Sequence, residues 1–242
     1  MAELHEVAAH CQAHPAPVLL LDTCALLDLI RIAGRVTPSD PTPPPAIAGA
    51  ARRLLALAQL PTPQLHLLCH ELVPQEWAAN EADASKGPRA GLRRVRELLE
   101  RFNEAAAALA IPEQVYRPGH LAERDGELVV TRLTELSQRM LAASLRIDRF
   151  ASCERRAVQR SINNVPPASK GKPELKDCLI IEHYLEFCRQ LPAGIPRVFV
   201  SSNVNDYGKN FNLLPPLAEE FAAVGLLWAK DFAHAQSLLN GE

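Results

Sequence analysis

The amino-acid sequence predicts an α/β fold with a mainly parallel central sheet of about four to five strands flanked by helices. Three observations carry that prediction. Short apolar runs without helical spacing, Ala16 to Leu21 (APVLLL) and Arg197 to Val200 (RVFV), suit strands buried on both faces. Segments with helical periodicity separate them, the alternation from which parallel sheets are built. The 242-residue chain is 48 % apolar and 22 % charged, so it is globular and can bury a sizeable core.

The first strand ends at Asp22, and Ala25, Leu26, Leu29 and Ile30 then recur at helical spacing up to Gly34. Strand followed by helix is the first half of a βαβ unit. A proline-rich linker, Thr37 to Pro45, leads into a helix from Ala46 to about Leu60 that Pro61 and Pro63 close. Gln64 to Cys69 (QLHLLC) reads as a second short strand. Helix resumes around Pro74, where a first turn does not need the missing N–H.

From Lys86 to Lys172 the sequence is rich in Arg, Ala and Leu at helical spacing, with breaks expected near Pro112, Pro118–Gly119 and Asp125–Gly126. Residues 86–172 therefore read as a basic insertion of at least three helices within a single domain spanning 1–242. After the PPASKGKP loop comes a strong helix from Glu174 to about Gln190, with Leu175, Cys178, Leu179, Leu185 and Phe187 among its apolar positions. Arg197 to Val200 is the third strand and Gly225 to Trp228 a fourth, with Asp231 placed to cap a terminal helix.

A net charge of −2, from 26 Lys+Arg and 28 Asp+Glu, excludes a uniformly basic nucleic-acid binder. The total hides a division: residues 86–172 hold 17 Lys+Arg against 10 Asp+Glu, and the remainder 9 against 18. No apolar stretch approaches the roughly 20 residues of a membrane span. The amino-terminal MAELHEVAAHCQAHPAP lacks the basic and apolar regions of a secretory signal, so a cytoplasmic location is expected. Cys11, Cys24, Cys69, Cys153, Cys178 and Cys188 form no CxxC pair and are expected as free thiols. Zinc at His10, Cys11 and His14 is disfavoured because that terminus is expected to fray. At His66, Cys69 and His70 strand alternation sends the side chains to opposite faces.

A parallel sheet offers its functional site at the carboxyl ends of its strands, and acids stand there. Asp22 follows the first strand. Glu76 lies early in the helix after the second, with Glu71 nearer the strand end competing for the same role. Asp177 is in the first turn of the long helix. Asp206 follows the third strand within SSNVNDYG, where Ser201, Ser202 and Asn203 offer further oxygens. Each alone has an ordinary explanation, as a helix cap, a complement to a helix dipole or a turn residue. As a group they would repel one another and raise each other's pKa, a conflict that a divalent cation relieves. Hard cations such as Mg²⁺ or Mn²⁺ take such oxygens and acidify bound water, chemistry suited to phosphodiester hydrolysis.

The segments VLLLDTCALLDL, LHLLCHELVPQEW, KDCLIIEHYLEF and RVFVSSNVNDYG resemble, in order, the four acidic motifs of PIN-like domains. The resemblance implies a Mg²⁺- or Mn²⁺-dependent nuclease, an endoribonuclease by preference, on a parallel sheet flanked by helices. It implies Asp22, Glu76 and Asp177 as first, second and third metal ligands. Many members have an acid where this sequence has Asn203, so Ser201, Asn203 and Asp206 share the fourth position. Asp22, Glu76, Asp177 and Asp206 form the implied catalytic set, with Ser201, Ser202, Lys172 and Lys176 toward the substrate.

Two other readings accompany this one: a catalytically inactive RNA-binding or scaffold protein, and a toxin held by an antitoxin or other protein partner. A homodimer is compatible with each. Lys86, Arg89, Arg93, Arg94, Arg96 and Arg101, and Arg146, Arg149, Arg155, Arg156 and Arg160, read equally as a phosphate-binding surface or as solvated helix faces. Neither GxxxxGK[ST] nor GxGxxG is present, and Thr23–Cys24 after Asp22 departs from the DxD of haloacid-dehalogenase-type phosphatases.

Overall fold

A computed structural model describes residues 3–34, 44–108, 123–172, 174–209 and 212–241. The expected breaks at Pro112 and Pro118–Gly119, and most of the Thr37–Pro45 linker, lie outside them. The fold is α/β, with five parallel strands in the order β3-β2-β1-β4-β7. These are β1 (Val18–Leu21), β2 (His66–His70), β3 (Leu145–Ile147), β4 (Arg197–Val200) and β7 (Leu226–Ala229). A two-residue antiparallel pair, β5 (Gly208–Lys209) with β6 (Asn212–Leu213), stands apart.

The helices are α1 (Leu4–Ala13), α2 (Thr23–Arg31), α3 (Pro44–Ala58), α4 (Leu72–Ala108), α5 (Glu123–Ala142), α6 (Ala151–Ile162), α7 (Leu175–Gln190), α8 (Val204–Tyr207), α9 (Leu217–Ala223) and α10 (Phe232–Asn240). They pack as two groups, α1, α6 and α7 against one another, and α2, α3, α4, α5 and α10 likewise. Right-handed crossovers put such groups on opposite faces of the sheet, because the chain moves one way from β1 and the other way from β3 to β4. Every residue of β1 and β4 is accordingly buried. No helix among the described residues is long and apolar enough to cross a membrane.

The strand register brings the ends of the central strands to one level. Leu21 pairs with Cys69 on one side and Val200 on the other, so β1 and β4 end together and β2 runs one residue further. The Asp22 N–H still donates to the Val200 carbonyl at 3.1 Å, extending the ladder by one residue. The chain thus reverses direction across the sheet between β1 and β4, and Asp22 stands at that reversal.

The structure departs from the sequence reading in four places. The terminus expected to fray is α1, whose Leu4, Val7, Ala8 and Cys11 form a buried stripe at helical spacing. The segment read as wholly helical contains β3, an edge strand paired with β2. Helix α5 runs through Asp125–Gly126 without a break, and α4 continues for 37 residues across Pro88, forgoing the hydrogen bond that proline cannot donate. The last strand begins one residue later than expected and is the fifth of the sheet.

Many arginines of the basic segment are occupied internally. The Arg160 side chain, almost fully buried, donates to Glu182 at 2.9 Å, to Glu220 at 2.8 Å and to the Pro166 carbonyl at 2.6 Å. Arg156 spans Glu182 and Glu186 at 2.8 and 2.7 Å. This network joins α6, α7 and α9, and through α7 it fixes the helix that carries Asp177. Removing one member leaves Glu182 buried with less compensation, so Arg160→Met is expected to lower the unfolding free energy by about 3 kcal/mol in urea titration. A loss below about 1 kcal/mol would show that the network contributes specificity of packing and little stability.

Candidate functional site

Asp22 caps α2 and faces the end of β4 with the same carboxylate. One oxygen accepts from the Thr23 N–H at 2.8 Å, the other from the Ser201 hydroxyl at 2.6 Å. Ser201 is in turn ordered by the Asn203 N–H, which donates to its Oγ at 3.2 Å, and by Trp228, whose indole donates to its carbonyl at 3.2 Å. The cap and the functional role that the sequence left as alternatives are compatible in one side chain.

Glu76, on the second turn of α4, accepts from the Thr23 hydroxyl at 3.0 Å and pairs with Lys176 at 3.1 Å. The neighbouring Trp77 fixes this part of α4. Its indole donates to Ser137, whose hydroxyl donates to the Leu26 carbonyl, tying α4 and α5 to α2 at 2.8 and 3.1 Å. Glu71, its competitor, instead pairs with Arg149. Asp206, in α8, accepts from Lys172 and from the Asn203 amide, both at 2.6 Å. Lys172 also pairs with Glu174 at 3.1 Å. Ser202 contributes its carbonyl, which accepts from the Val204 N–H. Just before α7, Glu174 sits in the left-handed region at φ 34°, a strained conformation for a residue with a Cβ.

Electrostatics joins these residues with Asp177. Burial, and then the charges of Asp22, Glu174, Glu76 and Asp206, push the Asp177 carboxyl up to about 8. Burial raises Asp22 to about 6 against the opposing hydrogen bonds from Ser201 and Thr23, with Glu76 and Asp28 adding to the rise. Burial, Asp22 and Asp177 also hold the Cys24 thiol well above its ordinary range, which keeps it protonated and unreactive. The hydrogen bond to Asp206 raises the Lys172 ammonium above its ordinary value.

The oxygen-rich donor set is chemically of the kind that hard divalent cations take. Its present arrangement is not a ligand cage: among the described residues no group of three or more His, Cys, Asp or Glu side chains stands together to hold a metal. The lysine pairings give a physical reason, since Glu76 and Asp206 are turned to ammonium groups. At the other end of the sheet, His10 lies tilted against His14 and edge-on to His66, and the His66 ring contacts the His14 carbonyl at 2.7 Å.

Two structural contributors escaped the sequence reading. Thr23 supplies the hydroxyl that links α2 to Glu76. Tyr184 donates to the Leu21 carbonyl at 2.6 Å and accepts from the His70 N–H at 3.0 Å, tying together the ends of β1 and β2. Its signal was spacing: it lies two helical turns beyond Asp177, on the same side of α7. Of the basic surface, Lys86, Arg89, Arg96, Arg149, Arg156 and Arg160 are paired with carboxylates. Lys172 and Lys176 are the cations in contact with the acidic cluster, each with more than half its side chain exposed.

Comparison with protein-family models, curated proteins and solved structures returns no match.

The raised carboxyls fix the sign of a pH effect. An acid whose folded pKa lies above its unfolded value favours folding while protonated, and that advantage is lost as pH rises through the folded pKa. Without divalent cations, stability contributed by Asp22 and Asp177 therefore declines from about pH 4 through their values of about 6 and about 8. Urea midpoints across that range are expected to fall, and Asp177→Asn to flatten the slope. A midpoint that rises steadily to about pH 8 in the unaltered chain and in Asp177→Asn alike would contradict this electrostatic picture.

Proposed function

We propose that this chain is a PIN-like endoribonuclease that hydrolyses phosphodiester bonds with Mg²⁺ or Mn²⁺. The observation that carries the reading is Asp22, buried at the sheet's reversal point where an open parallel sheet binds its ligands, its carboxyl raised by burial and by the charges of Glu76 and Asp28. The Asp177 carboxyl is raised in the same way, by burial and then by the charges of Asp22, Glu174, Glu76 and Asp206.

Asp22, Glu76, Asp177 and Asp206 would hold the cation, with Asn203 as a neutral oxygen donor. The cation would supply charge neutralisation and a lowered pKa for the attacking water. Ser201 keeps Asp22 oriented through the 2.6 Å hydrogen bond. Thr23 does the same for Glu76 at 3.0 Å. Lys172 and Lys176 sit at the rim, where they would exchange carboxylate partners for backbone phosphates of an entering strand. Aromatic residues are only 5 % of the chain, which favours backbone contacts over extensive base stacking.

A second reading has an observation of its own. Lys172 and Lys176 already compensate Asp206 and Glu76, and an amide stands at Asn203. That arrangement favours an RNA-binding protein that does not cleave. Incubation of labelled single-stranded and structured RNA with Mn²⁺ separates the two. The nuclease reading predicts cleavage that Asp22→Asn or Asp177→Asn lowers by about 100-fold or more, since losing a ligand costs at least as much as losing its supporting partner. Binding without cleavage at any divalent concentration selects the second reading, and cleavage indifferent to both substitutions removes this site from the reaction.

A further inference from the structure

Arg197 is a buried cation outside the ion-pair network of α6, α7 and α9. It opens β4 at the end of that strand away from Ser201, is 3 % exposed, and meets no carboxylate among the described residues. Its hydrogen bonds go to main-chain carbonyls: Nε donates to Ile195 at 3.2 Å, Nη1 to Cys188 at 2.5 Å and Nη2 to Pro192 at 2.8 Å. Arg160, similarly buried, is by contrast held by Glu182 and Glu220.

These acceptors describe a helix cap. Cys188 is in the last turn of α7, which Leu191 closes, so the guanidinium sits where carbonyls lack intrahelical partners and the macrodipole carries about half a negative charge. Half a charge does not balance a whole one, and buried charges are ordinarily paired. Donors are also left over. Each carbonyl takes one N–H from a different nitrogen, and the second N–H groups of Nη1 and Nη2 have the Cys188 sulfur, a weak acceptor, for a neighbour.

The same side chain lines a pocket of about 420 Å³, a volume within the range of small-molecule sites. Leu191 and Val224 give it buried apolar walls, and Ala223 and Gly225 stand at its exposed rim. Gly225 lies in the left-handed region at φ 64°, and a Cβ there would stand 3.8 Å from Nε and 4.0 Å from Nη2 of Arg197. The chain thus passes the guanidinium at a residue that adds no side chain between it and the opening. Arg189, the other cation of the lining, is already paired with Glu186 at 3.0 Å.

We propose that this pocket binds a small organic carboxylate, its carboxyl group against Arg197 and its short apolar body against Leu191 and Val224. Charge selects the class. One uncompensated guanidinium balances a monoanion, and its planar fork matches the two oxygens of a carboxylate. A phosphate dianion calls for a second free cation, and Arg189 is taken up by Glu186. The pocket lies at the opposite end of β4 from the Asp22 partner Ser201, so it stands or falls independently of the metal-site reading.

Substituting Arg197 would also uncap α7, so the test leaves it in place. Thermal unfolding and titration calorimetry of the full chain compare sodium acetate, sodium butyrate and inorganic phosphate with sodium chloride at equal ionic strength. Butyrate is expected to bind saturably and to raise the unfolding temperature more than acetate does, with phosphate no better than chloride. Ala223→Trp, which fills the pocket from its exposed rim, is expected to weaken butyrate binding by about tenfold or more, with an unchanged unfolding temperature in chloride. An equal response to all four salts overturns the proposal, whatever the variant does. A preference for phosphate overturns the assignment to carboxylates, and butyrate binding that is indifferent to Ala223→Trp removes it from this pocket.

Discussion

The fold is organised around the problem of keeping one carboxylate at the closed end of its central strand. β1 is buried along its whole length, so the chain emerges from it into a space already enclosed by neighbouring elements. A charged group there is costly unless each oxygen is hydrogen-bonded. Two contacts meet that requirement for Asp22, and a third holds its backbone. The start of α2 provides the Thr23 N–H, the end of β4 provides the Ser201 hydroxyl, and the ladder holds the Asp22 backbone to Val200. Tyr184 adds a brace from the helical layer, pinning the ends of β1 and β2 at one level. These contacts hold the backbone in place but do not remove the electrostatic cost, and the Asp22 carboxyl remains raised to about 6.

The close approach of the β4 turn to β7 belongs to the same construction. Gly208 lies where an added Cβ would stand 2.6 Å from the Trp228 ring and 2.8 Å from the Asn212 carbonyl. Trp228 also donates to Ser201, so the space that glycine leaves is filled by the side chain that fixes the Asp22 partner. A substitution at Gly208 would push on the Ser201 partner of Asp22 through Trp228. Local sterics at a buried glycine of β5 and electrostatics at a buried acid are connected by one indole ring.

What was legible in the sequence depends on the kind of signal each element leaves. β1, β2 and β4 are continuous apolar runs because both their faces are covered, and α7 declares itself by length and periodicity. β3 is three residues, Leu-Arg-Ile, of which only Ile147 is buried. As a short charged edge strand it has almost no pattern to show, and a charge there also discourages pairing with other chains. The acids after the strands were visible as positions, while their partners were not. Arg149 reaches Glu71 across 78 residues of sequence, a contact no local pattern records.

Charge counting shows the same limit from the other side. The excess of Lys+Arg in residues 86–172 suggested a surface for a polyanion, yet Arg156 and Arg160 hold α6 to α7 and α9, and Arg149 holds Glu71. Guanidinium groups suit that work because one side chain can satisfy several acceptors in fixed directions. The cations that touch the acidic cluster are lysines, and this difference has a physical consequence. An exposed ammonium pair contributes little net free energy and exchanges partners readily. Lys172 and Lys176 therefore compensate Asp206 and Glu76 without locking them, while the ion pairs of both lysines leave Asp22 and Asp177 aside. A site closed by buried arginines would be permanently neutralised. One covered by solvent-exposed lysines keeps carboxylates that can change partners.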